Sequence, residues 1–218
     1  MKNLLVAQSG GPTSAINATL AGVVENALSS PSVDRIYGSI NGIQGVLTEN
    51  LIDLKTKITN VSELDLLCQT PASALGSCRV KLKDPAVCAD EYETIISVLR
   101  KYNIDCFIYI GGNDSMDTVD KLSKYLNTKG ITDITVVGAP KTIDNDLCGT
   151  DHCPGFGSAA KYIGTTFAEL ERDCYVYATK AVTIVEVMGR DAGWLTAASC
   201  LARANGAKGP DFIYLCEV

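Results

Sequence analysis

A chain of 218 residues is long enough for one large or two small domains with a real hydrophobic core. It is 46% hydrophobic and 20% charged, the composition of an ordinary globular protein. A net charge of −6 excludes a uniformly basic nucleic-acid-binding surface, but not an anionic small ligand held by local positive charge or a metal.

The chain opens MKNLLVAQSGG, whose apolar run LLVA (4–7) is too short for a signal-peptide core or a membrane span. The expectation is a cytoplasmic protein with neither a membrane nor a nucleic-acid partner. Its 9 cysteines are scattered without any Cys-x-x-Cys, which reads as reduced thiols. LLVA itself reads as a buried strand, followed by the loop QSGGPTS (8–14). Ile16, Leu20, Val23, Ala27 and Leu28 then mark one face of a helix starting near Ser14.

RIYGSI (35–40) is a weaker strand candidate. Tyr92, Ile95, Ile96, Leu99 and Tyr102 have helical spacing, and CFIYI (106–110) is a strand that runs into the turn GGNDS (111–115). Met116, Val119, Leu122 and Leu126 give the next helix, and ITVVG (134–138) the next strand, ending in APKTIDND (139–146). Tyr162, Ile163, Thr166, Phe167 and Leu170 form a helix capped by Ser158. The strand VTIVEV (182–187) leads into MGRDAG (188–193), a helix follows through Trp194, Ala197, Ala198 and Leu201, and FIYLC (212–216) is a last strand.

Strands buried on both faces and alternating with helices predict an α/β, doubly wound fold with a Rossmann-like parallel sheet. Ligands of such folds sit outside the carboxyl ends of the strands. The loops expected there are QSGGPTS, GGNDS, APKTIDND and MGRDAG, all rich in glycine and polar groups. In GGNDS the glycines invite a phosphate to the backbone, while an exposed acid beside them repels it.

Several common signatures are absent or out of place. No G-x-x-x-x-G-K-[ST] occurs, so this is not a Walker-type ATPase. GFGSAA (155–160) has the spacing of a dinucleotide loop but follows a polar stretch rather than a strand. Cys148, His152 and Cys153 cluster without the four paired ligands of a structural zinc site. His152 is the only histidine, so a hydrolytic triad would rest on it alone.

PKTIDND sets Asp144 and Asp146 two residues apart, flanked by Lys141 and Thr142. Such acids either close a turn on their own backbone or serve an acceptor hydroxyl and Mg²⁺ in phosphoryl transfer. Arg190 at a helix start is readable as a solvated arginine, yet a cation there is mildly disfavoured by the dipole, which favours a compensating anionic or polyhydroxylated ligand. Arg79 in LGSCR is a weaker candidate of the same kind, equally readable as a surface arginine.

Taken in order, SGGPTSAINA, LGSCR, GGNDS, PKTIDND and VEVMGRDAGWL resemble the motifs of the phosphofructokinase family over essentially the whole chain. The ATP-using branch reads GGDGS and PGTIDND. Asp114 and Lys141 replace a glycine of each, a pair that resembles the pyrophosphate-dependent branch. The resemblance implies transfer of a phosphoryl group from pyrophosphate to the 1-hydroxyl of fructose 6-phosphate, with Mg²⁺. Asp114 would repel and displace the α-phosphate of ATP, and Lys141 would supply a cation to pyrophosphate.

The resemblance further implies that Gly11 and Gly112 let backbone N–H groups reach pyrophosphate. Asn113, where the family more usually has aspartate, would lie by the metal with Asp146. Asp144 would take the proton of the sugar hydroxyl. Thr142, Ile143, Met188, Gly189, Arg190 and Arg79 would hold the sugar phosphate. It implies a pyrophosphate- and Mg-binding domain over 1–155 and the first part of a sugar-phosphate domain over 156–218, with the second domain incomplete because the family's chains are longer. The complete enzyme is expected to be a homo-oligomer. An ATP-dependent sugar kinase and a catalytically silent fragment stay open as alternatives.

Overall fold

The computed structural model describes residues 2–218. Two compact units emerge, Met1–Lys141 and Thr142–Val218. The division falls earlier than residue 155. Segment 142–155 is tied within the second unit, where Thr142 N–H donates to the Pro154 carbonyl at 3.1 Å and Thr142 bridges Gly155.

The first unit runs β1 (Lys2–Gln8), α1 (Ser14–Ser29), β2 (Val33–Ser39), α2 (Gly42–Leu47), β3 (Leu51–Asp53), α3 (Val61–Gln69), α4 (Ala89–Lys101), β4 (Ile104–Gly111), α5 (Asn113–Thr128) and β5 (Thr135–Pro140). One sheet in the order β3-β2-β1-β4-β5 results, parallel throughout except for β3, which pairs antiparallel with β2. Alternate residues of β1 feed opposite layers, as the two-residue period of a strand requires. Leu5 and Ala7 join Phe107, Tyr109, Ile95, Leu99, Leu122 and Leu126 on one face. Leu4 and Val6 join Ile110, Ile36, Ile16, Leu20 and Val24 on the other.

This doubly wound sheet is the fold that the apolar runs predict. The chain leaves β1 toward β2 on one side and returns with β4 on the other, so strand order reverses between β1 and β4. The crevice at such a reversal is where ligands of this fold bind. Here it is bordered by the loops after β1 and β4, with the loop after β5 next along the sheet. Short β3 and the helices α2 and α3 carry no strong periodic signal and go unanticipated.

The second unit departs from expectation. It contains α6 (Phe156–Cys174) and α7 (Trp194–Ala198), the latter continued by a 3₁₀ stretch over Ser199–Asn205. Helix α6 is capped by Gly155, and Ser158 lies inside it. Its buried line is Ala160, Gly164 and Ala168, while Tyr162 is exposed. The cause is close packing: a Cβ on Gly164 would stand 2.9 Å from the Leu201 Cβ, so only small residues fit along this stripe.

VTIVEV and FIYLC are not strands. Both segments are irregular, with Val182 89%, Ile184 91%, Phe212 77% and Tyr214 83% exposed. An isolated extended segment has nowhere to spend its backbone hydrogen bonds, and no strand among the described residues pairs with either one. The arginine loop 188–193 therefore does not follow a strand.

Candidate active site

Within the first unit, three loops converge at the carboxyl ends of adjacent strands. Ser9 N–H donates to the Ile110 carbonyl at 2.9 Å, joining the loop after β1 to β4. Gly10 takes a positive φ of +79°, which glycine adopts without steric cost, and its N–H donates to the Cys78 carbonyl at 3.3 Å. Lys141, only 4% exposed, donates its backbone N–H to the Gly111 carbonyl at 2.9 Å. Its ammonium donates to the Gly11 carbonyl. A Cβ placed on Gly10 would lie 3.5 Å from that ammonium nitrogen and 3.6 Å from the Gly112 nitrogen.

Gly11, Gly112 and Lys141, three residues expected at pyrophosphate, are thus brought together. The N-termini of α1 and α5, both 16 residues long, begin just beyond them. Each presents backbone N–H groups and the positive end of a helix dipole. The Thr13 hydroxyl, at the N-cap of α1, is the one buried side-chain oxygen or nitrogen without a hydrogen-bond partner among the described residues. An unsatisfied donor at the mouth of an anion site suits a ligand with several acceptor oxygens.

Asp114 stands in the first turn of α5, with its carboxylate 3.3 Å from the Lys81 ammonium. Lys81 escaped the sequence reading. Its signal was the alternation Arg79-Val80-Lys81-Leu82-Lys83, in which Leu82 is fully buried, Val80 packs on the core and the cations are exposed. Arg79 itself is exposed and makes no ion pair among the described residues.

Cys78, next to Arg79, is half-buried, with its sulfur 3.8 Å from the Tyr109 hydroxyl and 3.9 Å from that of Ser9. Burial pushes this thiol up, but the backbone N–H groups of Val80 and Gln44 and the two hydroxyls outweigh it, so its pKa lies below the ordinary value. Burial pushes the Tyr109 phenol far above its usual range, which keeps it a neutral donor to its neighbours.

In the second unit the loop 142–155 settles which groups close it. The Thr142 hydroxyl accepts from the Asp144 N–H at 3.0 Å. Asn145, in a left-handed conformation, donates to the Asp151 carbonyl at 3.1 Å and accepts from the Cys153 N–H at 2.8 Å. The amide between the two acids does the turn-closing that the acids themselves were candidates for. The half-buried Asp144 carboxylate makes no hydrogen bond among the described residues. Ile143 is half-buried and Asp146 exposed.

The Met188–Gly189–Arg190 loop is a separate feature of this unit. Gly189 is buried with φ +155°, and a Cβ there would come 2.2 Å from the Ala192 carbonyl oxygen, so no other residue fits. Arg190 also has a positive φ, of 53°, and like Met188 it is exposed. Such a backbone position is costly for a residue with a side chain and is typical of functional loops.

His152 is exposed and stacks on Phe156, Cys153 is buried, and no group of three or more His, Cys, Asp or Glu side chains stands ready for a metal among the described residues. Mg²⁺ needs no such cage, because it is commonly held by one or two side-chain oxygens, waters and substrate phosphates. Asn113, at the head of α5 in the first unit, and Asp146, exposed in the second, each carry a side-chain oxygen of that kind.

The Phosphofructokinase family model matches residues 3–218. A pyrophosphate–fructose 6-phosphate 1-phosphotransferase of Xanthomonas campestris is 45% identical over 99% of this chain and 51% of its own. The crystal structure of a pyrophosphate-dependent phosphofructokinase from Nitrosospira multiformis superposes with a TM-score of 0.85 at 44% identity, covering 96% of this chain and 51% of that one. An ATP-dependent 6-phosphofructokinase of Actinobacillus pleuropneumoniae stands at 34% identity over 93% of this chain and 57% of its own. The chain spans about half the length of the curated relatives it matches. No described helix is long and apolar enough to cross a membrane.

Proposed function

The chain belongs to the phosphofructokinase family, and from that premise we propose that it carries the donor-binding and part of the acceptor-binding machinery of a pyrophosphate-dependent fructose 6-phosphate 1-phosphotransferase. One observation carries the choice of donor. Where the loops after β4 and β5 would admit a nucleotide with glycines, this chain puts Asp114 and Lys141, one ion-paired and one buried on the Gly11 carbonyl.

In this reading the N–H groups of the first loop and of the start of α5 bind the diphosphate, and Lys141 neutralises the phosphate that departs. Asn113 and Asp146 would hold Mg²⁺, which would supply positive charge to the donor. Thr142, Ile143, Met188, Gly189, Arg190 and Arg79 take the sugar phosphate.

The 1-hydroxyl oxygen of fructose 6-phosphate bonds to phosphorus while the bridging P–O bond of pyrophosphate breaks, and phosphate leaves with the electron pair. Asp144 accepts the hydroxyl proton. A carboxylate is a weak base, which suits a loose transition state in which the proton departs late. The products are fructose 1,6-bisphosphate and phosphate, and the step runs in either direction of cytoplasmic glycolysis. The complete enzyme is a homo-oligomer in the same reading.

Donor titration tests the proposal. The purified chain should bind Mg-pyrophosphate in preference to Mg-ATP, and a preference for ATP would instead support the nucleotide-using branch.

A further inference from the structure

We propose that Lys81 is a donor-selecting residue: its ion pair holds Asp114 in place and cancels its charge, so that the carboxylate blocks a nucleotide without repelling pyrophosphate. The inference rests on the pyrophosphate-dependent reading and deepens it.

A bare aspartate at the N-terminus of α5 would repel every anionic donor, pyrophosphate included. A filter that admits one anion and refuses a larger one needs the bulk of the carboxylate more than its charge. Lys81 supplies the missing countercharge at 3.3 Å. With side chains 61% and 70% exposed, this pair does little for folding, so stability gives no reason for it.

Both ends of the pair stand on fixed backbone. Asp114 belongs to the first turn of a helix, where its carbonyl accepts from the Thr118 hydroxyl at 3.0 Å. Lys81 lies on a segment without helix or strand that is pinned on either side. Upstream, the Cys78 carbonyl accepts from Gly10 N–H at 3.3 Å and from the Ser9 hydroxyl at 3.2 Å. Downstream, the Leu82 carbonyl accepts from the Lys121 ammonium at 3.1 Å, and the Lys83 carbonyl accepts from the Tyr92 hydroxyl at 2.7 Å.

Buried Leu82 and half-buried Val80 force Arg79, Lys81 and Lys83 outward. The segment that contacts the Gly10 loop thus also presents a cation to Asp114. Acting through Asp114, Lys81 is a positioning residue.

The experiment is calorimetric titration of the whole 218-residue chain with Mg-pyrophosphate and with Mg-ATP. The proteins are the unmodified chain, Lys81→Gln, Lys81→Arg, Asp114→Asn and the Lys81→Gln/Asp114→Asn double variant, with circular dichroism to check each fold. Lys81→Gln should weaken pyrophosphate binding about tenfold, and Lys81→Arg should stay within about threefold of the unmodified chain. In the Asp114→Asn background, Lys81→Gln should change pyrophosphate affinity by less than about twofold, the signature of action through the acid.

Equal losses in both backgrounds would make Lys81 a plain phosphate-binding cation and overturn the inference, as would an unchanged affinity in Lys81→Gln. An unmodified chain that binds ATP as tightly as pyrophosphate, or binds neither, overturns the functional reading and this inference with it. A chain that prefers pyrophosphate but ignores Lys81 overturns the inference alone.

Discussion

Lys141, just past the end of β5, reaches across β4 and donates its ammonium to the carbonyl of Gly11 in the loop after β1. This contact ties the loop after β5 to the loop after β1, on the two sides of β4.

Lys141→Met keeps the aliphatic stem and removes that charge. Because the bond to Gly11 is lost together with the desolvation cost of the cation, folding stability should change by about 1 kcal/mol. Hydrogen bonds to charged groups are worth about 1.5–3 kcal/mol, so Mg-pyrophosphate affinity should drop about tenfold to a hundredfold. Calorimetric titration alongside a thermal melt separates the two effects. Unchanged affinity would remove Lys141 from the donor site.

Asp114→Gly restores the residue of the ATP-using branch. It should raise ATP affinity measurably while leaving pyrophosphate the preferred donor, because Lys141 still occupies the place of the other glycine. The outcome against this is a variant that binds ATP more tightly than pyrophosphate, which would make Asp114 the whole of the filter.

Much of this was legible in the sequence, for physical reasons that differ by element. β1 and β4 are largely buried apolar runs, β5 is an apolar run at the sheet edge with Val137 exposed, and α4 and α5 carry regular apolar stripes, so pattern alone found them. Helix α3 buries no residue fully and β3 has only 3, so neither leaves a periodic trace.

Other features were hidden because they are tertiary. The small-residue stripe Ala160–Gly164–Ala168 exists to meet the turn around Leu201, and the ion pair of Lys81 joins residues far apart in sequence. VTIVEV and FIYLC have strand composition, yet composition cannot supply the neighbouring strand that a ladder needs. Asn145 carries no signal beside its two acidic neighbours, yet of the three only the amide has both a donor and an acceptor for closing the loop.

Asp144→Asn preserves shape and removes the proton acceptor. In a chimera joining this chain to the remaining half of the Xanthomonas relative, kcat should fall by about 10²–10⁴, the usual cost of losing a general base. The KM for fructose 6-phosphate should stay within about threefold, since an uncharged side chain of equal size still fits beside Thr142. A near-normal kcat would move the role to Asp146.

The second unit determines what this chain does by itself. Val182, Ile184 and Met188 on one irregular segment and Phe212 and Tyr214 on another are exposed apolar side chains, and exposed strand-like segments of this kind pair or aggregate. The chain should therefore self-associate as concentration rises, and Ile184→Lys with Tyr214→Lys should suppress that in sedimentation experiments. Amides of 182–187 should exchange with solvent far faster than those of β1 or β4, because they lack ladder partners.

The consequence for chemistry follows from the same looseness. The loops proposed to hold the donor stand on a sheet whose central strands β1 and β4 pack on both faces, whereas Arg190 projects from a loop that no strand anchors. Positioning of reactants supplies roughly 7–11 kcal/mol of a barrier, so an acceptor held this loosely forfeits most of the rate. The chain alone is expected to bind Mg-pyrophosphate and to turn over fructose 6-phosphate negligibly in a coupled assay, with the chimera restoring turnover by several orders of magnitude. Robust turnover by the purified chain, unaided by another polypeptide, would show that the second unit organises its acceptor site without further support.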